Sequence, residues 1–326
     1  MLSRVADCLF WLGRYTERAD NYARFIDVNF NLSIDLPTGM KEQWEPLITA
    51  TGDRELFVKS FGGKFTRQNA IFFLAFDEKN ENSILSTVFK ARENARIVRE
   101  TITNELWEVL NDLYYYVQNA QKKKLWKKED PKDCFKQIKH KLQLLSGISY
   151  NTLPRNQPWY FMKIGQYLER ADKTSRILDV KYHFLLPSVD EVGSPLDFLH
   201  WTALLKSVSG FNAYRKIYGK IEPAHIVEFL VLDHDFPRSM LFCLTQAEVC
   251  LHEISEAKHG FSNLAEKAIG NLRADLEFAD INDVFNFGLH EYLDNMQIRM
   301  NDISSAITTQ YFKIQPNFDA EIQQQA

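Results

Sequence analysis

Apolar residues recur at intervals of three and four along most of the chain, and this spacing predicts amphipathic α-helices. The first helix has an apolar stripe that comprises Cys8, Trp11, Leu12, Tyr15, Ala19, Tyr22, Ala23 and Ile26. No stretch shows the strict alternation and β-branched enrichment that are typical of strands. The pattern therefore predicts an all-α fold.

Further helices are predicted where the same rhythm continues between turn-forming residues. Gly62 and Gly63 are expected to end one helix, and Ser83 is expected to cap the next long one. The predicted helices span residues 42–61 with a break near Gly52, 66–76, 84–117 and 135–147. Loop-forming residues predict a turn over 31–41 and a proline-containing linker over 149–158.

The sequence also contains an internal repeat. Residues 13–28, GRYTERADNYARFIDV, align without a gap with residues 165–180, GQYLERADKTSRILDV, and nine of the sixteen positions are identical. A weaker copy relates residues 70–84 to residues 226–240. The repeats predict a helical bundle of two duplicated, pseudo-symmetric halves, residues 1–150 and 151–326, packed as one compact unit.

The repeated helix is expected to be covered on two sides. Glu17 falls almost opposite the apolar stripe, and Gly13 lies one turn before it on the same side. A glycine inside a helix costs roughly 1 kcal/mol relative to alanine. Glycines at matching places, Gly13 and Gly165, therefore suggest that another helix approaches closely there, and the two copies themselves are candidates for that crossing.

Glu17, Arg18, Glu169 and Arg170 are expected near this crossing, partly buried and in need of partners. One interpretation is a structural network of ion pairs that fixes the helix register. The other is a polar pocket in which arginines hold a carboxylate or phosphate and a glutamate acts as acid or base. The sequence favours the structural interpretation and leaves the second open.

A further charged group lies in the middle of the first half, where Glu93 stands among three arginines. The spacing of Arg92, Arg96 and Arg99 lets their guanidinium groups share one helix face. Together with the two repeated arginines they are candidates for an anion or peptide-carboxylate cleft, and the alternative is a salt-bridged helix surface. No catalytic residue is established, and the candidates are Glu17, Glu169 and Glu93.

Composition narrows the functional classes. The chain has 326 residues and a formal net charge of −4, which argues against a general nucleic-acid binder. No run of eighteen apolar residues occurs, so no membrane span is expected. Charged residues stand too early in the sequence for a signal peptide, and the four cysteines have no paired spacing. We therefore expect a cytoplasmic protein.

Motifs for common chemistries are missing from the sequence. It has no Gly-x-Ser-x-Gly elbow, no Cys and His at a spacing that indicates a catalytic pair, and no Walker-type phosphate loop. Glu256 and His259 have the spacing of a di-iron half-site, but the second such pair, Glu222 and His225, brackets a proline. We expect no metal and no cofactor. The basic run at residues 121–132 is interpreted as a solvated helix end or loop.

Four segments, residues 1–28, 91–111, 165–187 and 201–244, together resemble the bacterial alpha-E family of helical proteins, named for a recurring Glu-Arg motif. In the second half AEVCLH stands where the first half has ARENAR, so a site that uses Arg92, Glu93 and Arg96 would be one-sided.

The resemblance implies a set of partners. Members of the family are associated with circularly permuted ATP-grasp ligases and transglutaminase-like cysteine peptidases, and such a set would form and cleave amide bonds on peptides. The expected role is an accessory component that binds an ATP-grasp-type ligase, a transglutaminase-like protein or their peptide substrate. The alternatives are an enzyme that itself acts on peptide or amide bonds through a Glu-Arg cleft, and a metal-binding helical bundle.

Overall fold

The computed structural model describes residues 1–35, 43–127, 131–184, 194–256 and 260–313. Within these ranges the chain forms fifteen α-helices and no β-strand, so the all-α prediction is confirmed. The helices are α1 (Ser3–Asp35), α2 (Glu45–Ala50), α3 (Arg54–Phe61), α4 (Arg67–Ala75), α5 (Ile84–Ile97), α6 (Asn104–Lys122), α7 (Lys132–Thr152), α8 (Gln157–Phe184), α9 (Pro195–Ser207), α10 (Phe211–Tyr218), α11 (Pro223–Val231), α12 (Met240–Ser255), α13 (Leu264–Glu277), α14 (Ile281–Phe287) and α15 (Leu289–Ile307).

Two long helices, α1 and α8, run through the middle of the bundle and carry the two copies of the repeated sequence. Their backbones touch where Gly13 faces Met162 and Gly165 faces Phe10. Helices α5, α7 and α9 pack around α1, whereas α2, α12 and α15 pack around α8. The sequence interpretation of a helix covered on two sides, with the copies crossing at their glycines, agrees with this arrangement.

The second helix of each half packs against the central helix of the other half. Helix α2 contacts α8, and α9 contacts α1. Trp44 at the start of α2 and Trp201 within α9 are both buried there. Each central helix therefore obtains part of its apolar cover from the opposite half of the chain.

Local signals place several helix ends as predicted. The hydroxyl of Ser83 accepts a hydrogen bond from the amide of Ser86 and caps α5. Gly52 separates α2 from α3 with a φ of +80°, and Gly62 ends α3 with a φ of +60°.

Residues 84–117 do not form one helix, and that prediction was wrong. Helix α5 ends at Ile97, a short 3₁₀ turn covers Arg99–Thr101, and α6 begins at Asn104. Val98 and Ile102 are both buried at the turn, so the three-and-four spacing of apolar residues continues through the break. The sequence pattern therefore gives no sign that the helix ends there. The hydroxyl of Thr103 accepts a hydrogen bond from the amide of Leu106 and starts the new helix.

Two predicted connections also begin later than expected. Helix α1 continues to Asp35, and the remainder of the predicted turn, residues 36–41, lies outside the described ranges. Helix α7 continues to Thr152, so the connection to α8 shortens to residues 153–156. In the basic run, Trp126 packs against Phe72 and Phe76 in the core, and residues 128–130 are not described.

Candidate functional site

Glu-Arg pairs of the two central helices bind each other reciprocally. Arg18 of α1 donates from Nε to Oε1 of Glu169 at 2.6 Å and from Nη2 to Oε2 at 2.9 Å. Arg170 of α8 donates from Nε to Oε1 of Glu17 at 3.1 Å and from Nη2 to Oε2 at 2.9 Å. Each arginine thus holds the glutamate of the opposite helix in a two-pronged contact, which fixes both distance and orientation.

Glu169 is completely buried and has cations on several sides. Lys173 Nζ lies 3.5 Å from its Oε1. Arg14 Nε lies 2.8 Å from its Oε2, close enough for an ion pair, although the N–H does not point at that oxygen. Arg18 uses its remaining nitrogen to donate to Oδ1 of Asn82 at 2.6 Å.

Glu17 is also buried and has a different set of partners. Arg238, from the segment before α12, donates to its Oε1 at 2.8 Å. Two amides complete the shell, since Asn21 donates at 3.2 Å and Gln166 donates at 3.3 Å. Glu17 therefore contacts two cations, Arg170 and Arg238. Glu169 contacts three, Arg18, Arg14 and Lys173.

Two aspartates extend the contacts one turn further along each helix. Asp20 binds Arg24 and accepts from Arg238 at 2.8 Å. Asp172 accepts from Lys173 at 2.7 Å and from Arg176 at 2.9 Å. The whole set, called here the ion-pair network, consists of seven cations and four carboxylates: Arg14, Glu17, Arg18, Asp20, Arg24, Glu169, Arg170, Asp172, Lys173, Arg176 and Arg238.

Both glutamates of the network stay ionised. Burial by itself would raise the pKa of Glu17, but the charges of Arg170 and Arg238 lower it well below its ordinary value. Burial opposes ionisation of Glu169 as well, and the charges of Arg18, Lys173 and Arg14 lower its pKa to about 2. A carboxylate held in this way is a weak base and carries no proton to donate near neutral pH.

Glu93 and its arginines form a separate group on the α5–α6 side of the bundle. Arg92 and Arg96 both donate to Glu93, at 3.0 Å and 2.7 Å. Arg92 also lies over the rings of Trp107 and Tyr114, which gives it cation–π contacts.

Arg99 lies beside this group, on the turn after α5. It binds Asn104 and stands over the Trp107 ring. Within the described ranges no residue that accepts a hydrogen bond from Arg92, Arg96 or Arg99 also accepts one from Arg18 or Arg170. The structure thus separates the two sets of candidate arginines.

A cavity of about 230 Å³ lies beside the Glu17 half of the network, between α1, α6, α7 and α8. Arg24, Arg170 and Arg238 contribute to its wall together with Glu17 and Asp20. Helices α6 and α7 contribute the apolar side chains of Leu106, Leu110 and Leu142, and α7 also contributes Ser146 and Ser149. Exposed Gln143 and Ser209 stand at the edge of the cavity.

Sequence reasoning found the Glu-Arg pairs and missed the other seven members of the network. Asp20 and Asp172 are identical positions of the repeat, as are Arg24 and Arg176, so the repeat contained a signal for them. The repeats gave no such signal for Arg14, Lys173 and Arg238, because Gln166, Asn21 and Asn82 stand at the matching positions.

The structure also bears on metal and membrane sites. Among the described residues no group of three or more His, Cys, Asp or Glu side chains is arranged to hold a metal ion. His259 of the candidate half-site lies outside those residues. No described helix has both the length and the apolar character that crossing a membrane requires.

Comparison with known proteins gives one family match. The model of the Alpha-E family, described as a predicted alpha-helical domain with a conserved ER motif, matches residues 1–312. Uncharacterized proteins of Mycobacterium tuberculosis and Mycobacterium bovis are 23% identical to the chain over 94% of its length. The chain spans only 36% of the length of these curated relatives. No solved structure matches it significantly.

Proposed function

The chain belongs to the Alpha-E family, and we propose that it is a binding component, without catalysis of its own, of a peptide-modifying system. The system would contain an ATP-grasp-type ligase and a transglutaminase-like protein, which form or cleave amide bonds. One observation carries the absence of catalysis. Glu17 and Glu169 are buried, Arg18 and Arg170 are partly buried, and the four side chains are occupied by one another, which supports a structural role for the Glu-Arg motif.

Two further observations support this proposal. The mycobacterial relatives carry a similar region within much longer chains, which suits a module that works beside other domains. The four cysteines are buried and form no disulfide bond, which suits work in the reducing cytoplasm.

We also propose that the fold arose by duplication, with halves at residues 1–150 and 151–326. Residues at matching positions of the two copies make equivalent contacts with the glutamates where α1 and α8 cross. Arg14 and Gln166 each approach the glutamate of the other helix, and Asn21 and Lys173 each contact the glutamate of their own helix. The exchange of α2 and α9 between the central helices favours one compact unit over two separable domains.

The test is reconstitution with a partner enzyme. The tagged protein is used to capture its partners from the source cells, and the captured ATP-grasp-type ligase is then purified. Adding the pure chain should raise the ligase's peptide-dependent ATP hydrolysis. A ligase whose turnover is the same with and without the chain would contradict the accessory role.

The alternative of an intrinsic enzyme is tested on the pure chain with peptide substrates. Turnover by the wild-type protein that Glu17→Gln abolishes, with the folded protein retained, would overturn the non-catalytic proposal. The expected result is no turnover by either protein.

A further inference from the structure

The cavity beside Glu17 has two chemically different walls. Charged residues of α1 and α8 line one part of it together with Arg238, and leucines of α6 and α7 line another part beside the serines of α7. Its volume of about 230 Å³ is smaller than the roughly 300–1,000 Å³ of sites for drug-sized molecules. A single side chain with an adjoining charged group fits this size and this division of polarity.

The charged wall carries more positive than negative charge. Three guanidinium groups, those of Arg24, Arg170 and Arg238, face two carboxylates, those of Glu17 and Asp20. An uncompensated buried charge is costly, so the wall favours an additional anion. Burial and the neighbouring Arg238 lower the pKa of Arg24, and burial lowers that of Arg238, which agrees with cations short of counter-charge.

One acceptor in this wall has no partner. Oδ1 of Asp20 is buried and makes no hydrogen bond, while its other oxygen binds Arg24 and Arg238. The residue as a whole is only 9% exposed, and it is one of those that line the cavity. A buried acceptor of this kind is stabilised by an N–H or O–H donor from a bound molecule.

The backbone conformation of Ser209, at the edge of the cavity, also points to a binding site here. Ser209 follows α9 with a φ of +55°, in the left-handed region that glycine usually occupies at a helix end. Its hydroxyl accepts a hydrogen bond from Arg24 at 3.2 Å. Serine therefore holds Arg24 toward the edge, at a conformational cost that glycine would avoid.

We propose that this cavity binds the C-terminal residue of a peptide that ends in an aliphatic side chain. The terminal carboxylate lies against the guanidinium groups of Arg24 and Arg238. The amide N–H of the same residue donates to Oδ1 of Asp20, once that side chain has turned the buried oxygen toward the cavity. The aliphatic side chain packs on Leu106, Leu110 and Leu142, and the preceding residues leave past Gln143 and Ser209. This inference rests on the proposed function in one respect, that the protein binds a peptide rather than converting it.

The N–H donor separates a peptide end from other anions. Inorganic phosphate has no aliphatic part for the leucine wall, and a short fatty acid has no amide N–H for Asp20. A peptide that ends in a carboxamide keeps the N–H and the side chain but loses the negative charge. The carboxamide peptide therefore tests the contact with the guanidinium groups, inorganic phosphate tests the contact with the leucines, and the short fatty acid tests the contact with Asp20.

The experiment is calorimetric titration of the full chain with N-acetyl-Ala-Ala-Leu as the free acid. We expect saturable binding, and at least about tenfold weaker binding of the carboxamide, because a charge-assisted hydrogen bond is lost. The probes 4-methylpentanoate and inorganic phosphate should also bind at least about tenfold more weakly. Absence of binding by the free-acid peptide, or equal binding of peptide and carboxamide, would overturn the proposal.

Two substitutions on α7 provide a matched pair. Ser146 lines the cavity, whereas the side chain of Leu144 on the same helix is exposed. Ser146→Trp should fill the cavity and abolish peptide binding, and Leu144→Trp should leave it unchanged. Thermal unfolding of both variants verifies that they fold. A folded Ser146→Trp protein that still binds the peptide with wild-type affinity would refute the assignment of the cavity.

The two proposals fail in different ways. If the peptide does not bind but the chain still stimulates a partner ligase, the cavity assignment fails and the accessory function survives. If the peptide binds and the pure chain cleaves it, the site survives and the non-catalytic function fails.

Discussion

Gly13 of α1 lies directly against the backbone of Met162 in α8. A β-carbon added to Gly13 would stand 2.0 Å from the carbonyl oxygen of Met162, and one added to Gly165 would stand 2.0 Å from the carbonyl oxygen of Phe10. Because both obstacles are backbone atoms, neither can rotate away. The absence of two side chains is what lets the central helices approach closely enough for their Glu-Arg pairs to meet.

Replacement of the first of these glycines should therefore be costly. Gly13→Ala is expected to lower the free energy of unfolding by about 2 kcal/mol or more, since the helices must separate. Gly147→Ala is the control, because Gly147 is also inside a helix but has nothing within 4 Å of the added carbon. In chemical denaturation the free energy of unfolding of the Gly147→Ala variant should be unchanged or higher by up to about 1 kcal/mol. Equal stability of the two variants would contradict close contact at the crossing.

Removal of charge from Glu169 should destabilise the protein strongly. Glu169→Gln keeps the shape of the side chain but leaves Arg14, Arg18 and Lys173 without their shared anion. We expect a loss of about 3–5 kcal/mol in urea unfolding, as for broken buried ion pairs. Glu93→Gln is the comparison, because its partner Arg96 is largely exposed, and it should cost less than about 1 kcal/mol. A small effect at Glu169 would mean that its pairs contribute little to folding.

Stability should fall at acidic pH because of the same carboxylates. In the folded protein the pKa values of Glu17, Glu169 and Asp172 lie below their ordinary values, that of Glu169 at about 2. The unfolded chain then binds more protons than the folded one, so their contribution is complete above about pH 5 and is lost as the pH falls toward 2. Urea midpoints measured from pH 6 to pH 3 should decrease, and less steeply in Glu169→Gln. A flat profile in the wild-type protein would count against the lowered pKa values.

The halves should depend on each other for folding. Fragments 1–152 and 153–326, divided in the turn between α7 and α8, separate α2 from α8 and α9 from α1. Each fragment alone is expected to lack a cooperative thermal transition, and an equimolar mixture should recover one. Circular dichroism measures both. A sharp transition in fragment 1–152 alone would establish that half as an independent domain.

Several features of the fold could be predicted because they depend on near neighbours in the chain. The three-and-four rhythm gave the class, Ser83 gave a helix start, and Gly62 gave a helix end. The break between α5 and α6 escaped prediction because Val98 and Ile102 at the turn are as buried as helix-core residues. Periodicity reports which residues face the core and carries no information on whether the helix axis changes direction between them.

The sequence by itself determined an all-α chain, a repeated helix with glycine and a Glu-Arg pair at matching positions, and the expectation that these charges need partners. The tertiary structure decided which charges meet. Arg18 binds a glutamate 151 positions away, and Arg238 reaches Glu17 across 221 positions. Helix period and capping depend on a few neighbouring residues, so they can be recognised in the sequence. An ion pair between distant residues depends on where their two backbones cross, and only the packed core fixes that crossing.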